Sequence, residues 1–423
     1  ETESSTGFNY VKKCSVDEYV RWDSPPNAFI ENKANNYIVA IPHGAEKPIS
    51  VGLHLHCWGG DMFGGYGFWD YYKNGSALIA SNQEPYDWWT GYHEKFWEKN
   101  YKEENWKNGS VHPYSQDRML SFLDWATEKY GFDKDRVFVK GSSMGGSGSV
   151  MFAIRHPERF AWCNSWVGIH NPYASEHFRG SYTLVYGKKE WNLKMAGSEI
   201  PAWDYFNDIW YLENNIKTGI PLLIFCNGKD DYMISWPQAA EMVATLQKTR
   251  QPYVFTWSMD DHSTRSKFPL FMKNDPPMPI DIRVNMTLPA FTKCSLDDDP
   301  GTGMKIIEGK PESRKNAYDG VESGQINLYL YWETDSITDK ADKWKMTVAL
   351  VESAPKDECT VNITPRRTQE FFPTQDAKFK WTNTSVQEGK IIQSGEITAD
   401  EYGLLTIEKA IVSKGKNRIS IFQ

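Results

Sequence analysis

The sequence predicts an α/β fold with a parallel, doubly wound sheet, followed by a C-terminal antiparallel β-sandwich. In the first part of the chain, apolar runs of strand length alternate with segments whose apolar residues follow the helical period. In the last part, apolar and polar residues alternate at every second position, and no helical period competes. The length of 423 residues exceeds one ordinary domain, so we expect two.

A proline-rich segment at residues 273–279 predicts the domain boundary, because its prolines prevent regular structure. The first domain then covers residues 1–275, with an N-terminal extension over residues 1–35, and the β-sandwich covers residues 280–423. The connection at about residues 169–219 is long for a single crossover. It predicts a cap-like insertion that shapes the pocket.

Two helices of the first domain are predicted from their apolar spacing. Ser115 is the expected cap of the first, and Gly131 is its expected end. The second is expected to begin near Pro237, a residue favoured in the first helical turn. In the second domain the strongest alternation lies in two runs, whose apolar members are Ile326, Leu328, Leu330 and Trp332, and Trp344, Met346, Val348 and Leu350.

The pentapeptide from Gly141 to Gly145 reads Gly-x-Ser-x-Gly and follows an apolar run at residues 137–139. A Gly-rich stretch that opens a helix comes after it. A sharp turn from strand to helix forces unusual backbone angles on its central serine, and only small neighbours leave room for the turn. This pattern is typical of the nucleophile of serine hydrolases, so Ser143 is the predicted nucleophile.

The order of residues along the chain predicts the base and the acid, since this class runs Ser, then Asp or Glu, then His. Of nine histidines, His262 alone follows the place expected for the acid, and it lies in a polar loop after a β-rich run. The acid should follow the apolar run at residues 221–226. Asp231 has the favoured spacing, and Asp230 is the alternative.

An oxyanion hole needs two N–H donors beside the nucleophile. The amide of Met144, directly after the nucleophile, is the first predicted donor. The second should follow the strand-like run at residues 49–56, where the sequence continues Cys-Trp-Gly-Gly. We predict the Trp58 amide, with Gly59 as the alternative.

Over about residues 36–270 the chain resembles the α/β-hydrolase superfamily. The likeness is closest to secreted esterases and polyester depolymerases related to prolyl-oligopeptidase-type hydrolases. It is carried by the elbow at residues 136–146 and by the Arg-His-Pro-Glu-Arg-Phe turn at residues 155–160. The resemblance implies an α/β-hydrolase sheet and the same roles for Ser143, Asp231 and His262. Two departures are Asp261, where a glycine often precedes the base, and Cys57, which replaces a usual glycine.

Aromatic residues are abundant, with 18 Trp, 22 Tyr and 21 Phe, and many cluster on connections that would surround the cleft. Flat aromatic faces suit sugar rings or aromatic acyl groups. From one such cluster, Trp88, Trp89 and Tyr92 are predicted to bind substrate.

Charge and composition exclude several classes of partner. The formal net charge is −8, without a long basic run, so we expect no nucleic-acid partner. No apolar stretch approaches the length of a membrane span, and neither Cys-x-x-Cys nor His-Glu-x-x-His occurs, so no metal or other cofactor is predicted. The polar first residues are typical of a processed chain, which favours a secreted or periplasmic protein. Six cysteines allow up to three disulfides, with pairing left open.

These observations predict an exported carboxylic-ester hydrolase that removes acetyl or feruloyl groups from a polysaccharide. A polyhydroxyalkanoate-type depolymerase or a serine peptidase would use the same three residues. A third alternative, from a different class, is a non-catalytic carbohydrate-binding protein on a hydrolase scaffold. A large distance between His262 and Ser143 would favour that alternative.

Overall fold

The computed structural model describes residues 13–64, 71–72, 75–98, 102–264, 282–306 and 318–423. The strands are β1 Cys14–Asp23, β2 Lys33–Pro42, β3 Ile49–Leu55, β4 Ala77–Ser81, β5 Tyr92–His93, β6 Val111–His112, β7 Phe132–Ser142, β8 Trp162–Trp166, β9 Leu222–Gly228, β10 Tyr253–Ser258, β11 Leu288–Thr292, β12 Gly324–Ile326, β13 Leu330–Lys340, β14 Lys343–Leu350, β15 Glu358–Arg366, β16 Lys378–Ser385, β17 Lys390–Thr398, β18 Ile407–Ser413 and β19 Asn417–Phe422. The helices are α1 Glu103–Trp106, α2 Tyr114–Tyr130, α3 Met144–Arg155, α4 Arg179–Tyr186, α5 Ala202–Tyr205, α6 Asp208–Asn214 and α7 Trp236–Thr249, with a 3₁₀ turn at Lys189–Trp191.

The main sheet has nine strands in the order β1-β2-β4-β3-β7-β8-β9-β10-β12. The strands from β4 to β10 run parallel, whereas β1, β2 and β12 join antiparallel at the two edges. The sheet is therefore mixed rather than wholly parallel as predicted. Strand β1 lies in the predicted N-terminal extension, and β12 comes from the C-terminal part of the chain. The predicted boundary at residues 275–280 lies outside the described residues.

Alternating side chains of the main sheet enter two different buried clusters, as the two-residue strand period requires. In β7, Val137 and Val139 face one cluster and Phe138 faces the other. The first cluster holds the buried apolar residues of α2, α3 and α7. The second continues into the C-terminal strands, including Trp344 of β14 and Ile407 of β18. One face of the sheet is thus covered by helices and the other in large part by C-terminal strands.

The predicted helices form with small shifts at their ends. Helix α2 ends at Tyr130 and is capped by Gly131, whose left-handed φ of 70° suits glycine. Ser115 is not its cap, because the helix begins one residue earlier and the Ser115 hydroxyl bonds to Asp87 instead. Helix α7 begins at Trp236 with Pro237 in its first turn, as expected.

The described C-terminal residues form two antiparallel sheets, ordered β11-β15-β18 and β13-β14-β19-β16-β17. The predicted run from Ile326 to Trp332 is in fact two strands in different sheets. Asn327, between them, has a left-handed φ of 61°, which ends β12 and redirects the chain into β13. Strand β12 then pairs with β10, and β13 pairs with β14.

None of the six cysteines, all of which lie in the described ranges, forms a disulfide, and five of them are buried. Within the described ranges, no helix is both long and apolar enough to cross a membrane. The same residues contain no group of three or more His, Cys, Asp or Glu side chains arranged to hold a metal ion.

Candidate active site

The Gly-x-Ser-x-Gly turn connects β7 to α3 at the carboxyl edge of the sheet. Ser143 sits between them with φ 57° and ψ −118°, and its amide donates to the Trp166 carbonyl at 2.8 Å. A Cβ on Gly141 would lie 2.3 Å from the Gly145 carbonyl oxygen, and one on Gly145 would lie 1.9 Å from that of Leu55. Both positions therefore require glycine, and the turn holds the serine in a strained conformation.

The structure brings Ser143, His262 and Asp231 together, although 119 and 31 residues separate the bonded pairs along the chain. The Nε2 atom of His262 lies 2.8 Å from the Ser143 Oγ. Its Nδ1 atom lies 2.7 Å from Asp231 Oδ2. Both distances are in the range of strong hydrogen bonds. These two hydrogen bonds allow a proton to move from the serine to the imidazole while the carboxylate stabilises the resulting positive charge.

The loop after β9, here called the acid loop, fixes the carboxylate of Asp231, which is 2% exposed. Its Oδ1 accepts hydrogen bonds from the amides of Met233 and Ile234 at 3.0 and 3.1 Å, which leaves Oδ2 for the histidine. Asp230, the alternative acid, is more exposed. The Asp231 side chain is therefore the one held against the imidazole.

The loop after β10 that carries His262, here called the base loop, approaches the acid loop closely at Gly228, the last residue of β9. A Cβ there would lie 2.2 Å from the Asp260 carbonyl oxygen and 2.6 Å from that of Asp261. The base loop also bonds to itself, since Asp261 Oδ1 accepts from the Ser263 amide at 3.0 Å. Asp261 thus stabilises the turn that carries His262.

Both predicted oxyanion-hole amides belong to segments that approach each other closely at Gly145, two residues after Ser143. Met144 is the first residue of α3, where free N–H groups and the helix dipole favour negative charge. Trp58 lies in the turn after β3, which is closed by a hydrogen bond from the Gly60 amide to the Cys57 carbonyl at 3.0 Å. The tight contact of Gly145 with Leu55 brings this turn to the start of α3.

His56 holds the turn that carries Trp58. Its Nδ1 lies 2.8 Å from the Cys57 carbonyl oxygen, and its Nε2 accepts from the Gln83 amide at 3.0 Å. Nδ1 is therefore the protonated nitrogen, and burial lowers the pKa of this imidazole. Burial also lowers the pKa of His54, to about 3. His56 thus supports the turn as a neutral residue.

A buried polar network that the sequence did not predict lies behind this turn. The Asp87 carboxylate accepts from Gln83 Nε2 at 2.7 Å, from the Trp89 amide at 3.0 Å and from the Ser115 hydroxyl at 2.5 Å. Burial raises the pKa of Asp87 to about 7. The network holds Trp88 and Trp89, which both have a left-handed φ of 61°. Trp89 Nε1 in turn donates to the His56 carbonyl at 3.0 Å.

The prediction that Trp88, Trp89 and Tyr92 bind substrate is corrected by their burial. Their exposed fractions are 0%, 0% and 2%, so their rings have no free surface to contact a substrate. They belong instead to the first buried cluster. The sequence pattern identified an aromatic cluster beside the site but not which rings reach solvent.

Two further contacts join the C-terminal part of the chain to the site. Lys229, which precedes the two aspartates, is 2% exposed and donates from Nζ to the Asp319 carbonyl at 2.8 Å. Strand β12 pairs with β10, the strand that leads into the base loop. No local pattern could have indicated either contact, because each joins residues far apart in sequence.

The fold and the elbow place the protein in the α/β-hydrolase superfamily. Residues 90–267, which include the elbow and the loops of Asp231 and His262, match the model of the prolyl oligopeptidase family. The protein is a serine hydrolase related to that family. No curated protein matches the chain significantly.

Several solved structures are similar to part of the chain. FphF, a serine hydrolase of Staphylococcus aureus, is 18% identical, with 59% of this chain and 92% of that chain covered and a TM-score of 0.42. A ferulic acid esterase is 16% identical, with 59% and 92% covered and a TM-score of 0.40. A putative dipeptidyl aminopeptidase IV from Bacteroides ovatus is 10% identical, with 59% and 33% covered and a TM-score of 0.43. Likenesses of this size assign no substrate to the chain.

Proposed function

We propose that this serine hydrolase cleaves carboxylic esters through an acyl-enzyme, with Ser143 as nucleophile, His262 as base and Asp231 as acid. The unbroken chain of short contacts, 2.8 Å from serine to imidazole and 2.7 Å from imidazole to carboxylate, carries the proposal. His262 takes the hydroxyl proton as Ser143 Oγ attacks the acyl carbon, and it returns that proton to the leaving alcohol. Water, activated by the same histidine, then releases the acid.

The amides of Met144 and Trp58 are proposed to stabilise the negative oxygen of the tetrahedral intermediate. Their support is the position of the two residues, one at the start of α3 and one in the turn after β3. A single such donor contributes about 3 kcal/mol of transition-state stabilisation in related chemistry.

The proposed substrate is an acetyl or feruloyl ester on a polysaccharide, met by a secreted or periplasmic enzyme. The support is compositional. The chain is rich in aromatic residues, whose faces suit sugar and phenolic rings, and its formal charge of −8 does not favour an anionic polymer such as nucleic acid.

The C-terminal part, residues 280–423, is proposed to be a β-sandwich domain beside a catalytic domain of residues 1–275. The support is the shared cluster of buried residues, which includes Val348 of one antiparallel sheet and Ile363 of the other. Because that cluster also contains Phe138 of the main sheet, the proposed role of the sandwich is to support the catalytic domain.

The test is turnover of p-nitrophenyl acetate, acetylated xylan and feruloylated arabinoxylan by the wild type and by Ser143→Ala. We expect the wild type to release acid from p-nitrophenyl acetate and from at least one of the two polysaccharides, and Ser143→Ala to lose about 10⁶-fold in kcat. The matched control Ser142→Ala removes a hydroxyl from the same turn and should stay within about twofold of the wild type.

A peptidase is the second candidate, favoured by the match to the prolyl oligopeptidase family. A panel of peptidyl p-nitroanilides, assayed beside the esters, separates the two functions. Turnover of the anilides with no turnover of the esters would replace the esterase proposal, and Ser143 would keep its role. Equal turnover by the wild type and Ser143→Ala would refute both the esterase and the peptidase proposals, since both use Ser143 as the nucleophile.

A further inference from the structure

Four ring side chains form a continuous row of contacts on the surface at the site. We call Trp58, Phe178, His177 and Tyr232 the aromatic arc. The ring centroids of Trp58 and Phe178 lie 6.1 Å apart, those of Phe178 and His177 4.6 Å, and those of His177 and Tyr232 5.7 Å. The two ends are open to solvent, with Trp58 43% exposed and Tyr232 70% exposed. Large rings left this exposed are available to a ligand.

The arc begins and ends beside the reacting groups. Trp58 is the residue whose amide is proposed for the oxyanion hole, and Tyr232 directly follows Asp231. The middle of the arc comes from the segment before α4, in the insertion between β8 and β9. The ring contacts of the arc therefore link the turn after β3, which carries Trp58, to the loop after β9, which carries Asp231 and Tyr232.

The arc is supported from below by a buried ring. Trp88 lies 5.9 Å from Trp58 and 4.7 Å from Phe178, centroid to centroid, and its Nε1 donates to the Ser181 hydroxyl at 2.9 Å. Because Trp88 is fully buried and hydrogen-bonded, it limits the freedom of the two rings above it. Rings that are already ordered lose little entropy when a ligand binds.

We propose that the aromatic arc binds a ring of the substrate by stacking against Trp58 and Tyr232, and so selects esters that carry a ring near the scissile bond. The shared chemistry is a flat ring face, which either a phenolic acyl group or a sugar in the alcohol part can offer. This inference rests on the proposed esterase function and names the recognition surface of that same site.

The test compares three esters that differ in where the ring lies. Ethyl ferulate has the ring in the acyl part, methyl tri-O-acetyl-β-xyloside has it in the alcohol part, and ethyl acetate has none. For each enzyme we measure kcat and KM and take the ratio of kcat/KM for a ring ester to that for ethyl acetate. Tyr232→Ala should lower this ratio on the order of tenfold, through KM, for the ester whose ring lies on the arc.

Two further variants exclude a general structural effect. Tyr232→Phe removes only the phenol hydroxyl and keeps the ring, so it should keep the wild-type ratio. If the hydroxyl rather than the ring bound the substrate, Tyr232→Phe would lower the ratio as Tyr232→Ala does. Trp22→Ala removes another exposed tryptophan, 65% exposed on β1, and should leave the ratio unchanged. If the ratio for ethyl ferulate falls in Tyr232→Ala, the arc binds a ring in the acyl part. If the ratio for the xyloside falls, the arc binds a sugar in the alcohol part.

An unchanged ratio for both ring esters in Tyr232→Ala and Trp58→Ala would overturn the proposal that the arc binds a substrate ring. Ser143-dependent hydrolysis of ethyl acetate in the same experiment would leave the esterase proposal standing. Failure of the wild type to cleave any of the three esters would overturn both. The two failures are therefore distinguishable in one data set.

Discussion

A methyl group added at Gly228 should separate the acid loop from the base loop. In Gly228→Ala, the new Cβ would lie 2.2 Å from the Asp260 carbonyl oxygen and 2.6 Å from that of Asp261, whereas real Cβ contacts are essentially never below 3.0 Å. The base loop must therefore move away by at least about 0.8 Å, judged by ordinary contact distances. His262 follows Asp261 directly, so its 2.7 Å contact with Asp231 lengthens with the loop.

A displacement of about 1 Å at a catalytic group costs on the order of 10²-fold in rate. We accordingly expect kcat for p-nitrophenyl acetate to fall about 10²-fold in Gly228→Ala, with KM little changed, because the defect lies in proton transfer rather than in substrate contact. The assay is initial-rate kinetics, with the concentration of folded enzyme measured by circular dichroism and thermal unfolding.

The matched control is Gly180→Ala, in α4, where an added Cβ meets no heavy atom within 4 Å. This variant should keep the wild-type rate. If folded Gly228→Ala keeps kcat within about twofold of the wild type, a change of less than 0.5 kcal/mol, then the close approach of the two loops does not control the histidine and the reasoning fails.

Three further predictions concern the acid, the buried network and the C-terminal contact. Asp231→Asn should lower kcat about 10⁴-fold by disturbing the imidazole tautomer, whereas Asp230→Asn should stay within about twofold; similar losses in both would contradict the assignment. Burial raises the pKa of Asp87 to about 7, so its contribution to the free energy of unfolding is full below about pH 4 and is lost as pH rises through 7. Asp87→Asn mimics the protonated acid and cannot ionise, so its free energy of unfolding should decrease between pH 4 and pH 8 by up to about 4 kcal/mol less than that of the wild type. Urea unfolding at the two pH values measures this decrease, and an unaltered pH dependence would refute the prediction. Lys229→Met should lower the free energy of unfolding by about 1–3 kcal/mol, since it leaves the Asp319 carbonyl without its donor, and unchanged stability would show that the contact contributes nothing.

The elbow and the two helices α2 and α7 could be predicted because their signals are local. Ser143 needs small neighbours within two residues, and Gly131 ends α2 where the sequence pattern ends. His262 was predictable by elimination, because the order of the three residues in this class leaves no other histidine.

The course of the chain from β12 to β13 could not be predicted, because the alternation at residues 326–332 continues through the break. Only the left-handed φ of Asn327 separates the strands, and asparagine adopts that conformation without a strong local pattern. The pairing of β12 with β10 is a contact between residues about 70 positions apart. Hydrophobic period reports which face of a strand is buried, not which strand lies beside it.

The exposure of the aromatic residues also lay beyond sequence reasoning. Trp58 and Trp88 are both tryptophans in polar, turn-rich segments, yet one is 43% exposed and the other 0%. The difference comes from tertiary packing, since Trp88 lies beneath the rings of Trp58 and Phe178. The proposed recognition surface is therefore the neighbouring arc and not the predicted Trp88, Trp89 and Tyr92, which are buried.

The most direct test of the central claim is covalent labelling by diisopropyl fluorophosphate, followed by intact-mass analysis and peptide mapping. A serine activated by a histidine reacts with this reagent, and an ordinary serine does not. The wild type should gain one adduct, on Ser143, and lose its esterase activity in proportion to labelling, while His262→Ala should label far more slowly. An unlabelled Ser143 in folded, unmodified protein, or labelling unaffected by loss of the imidazole, would contradict the account.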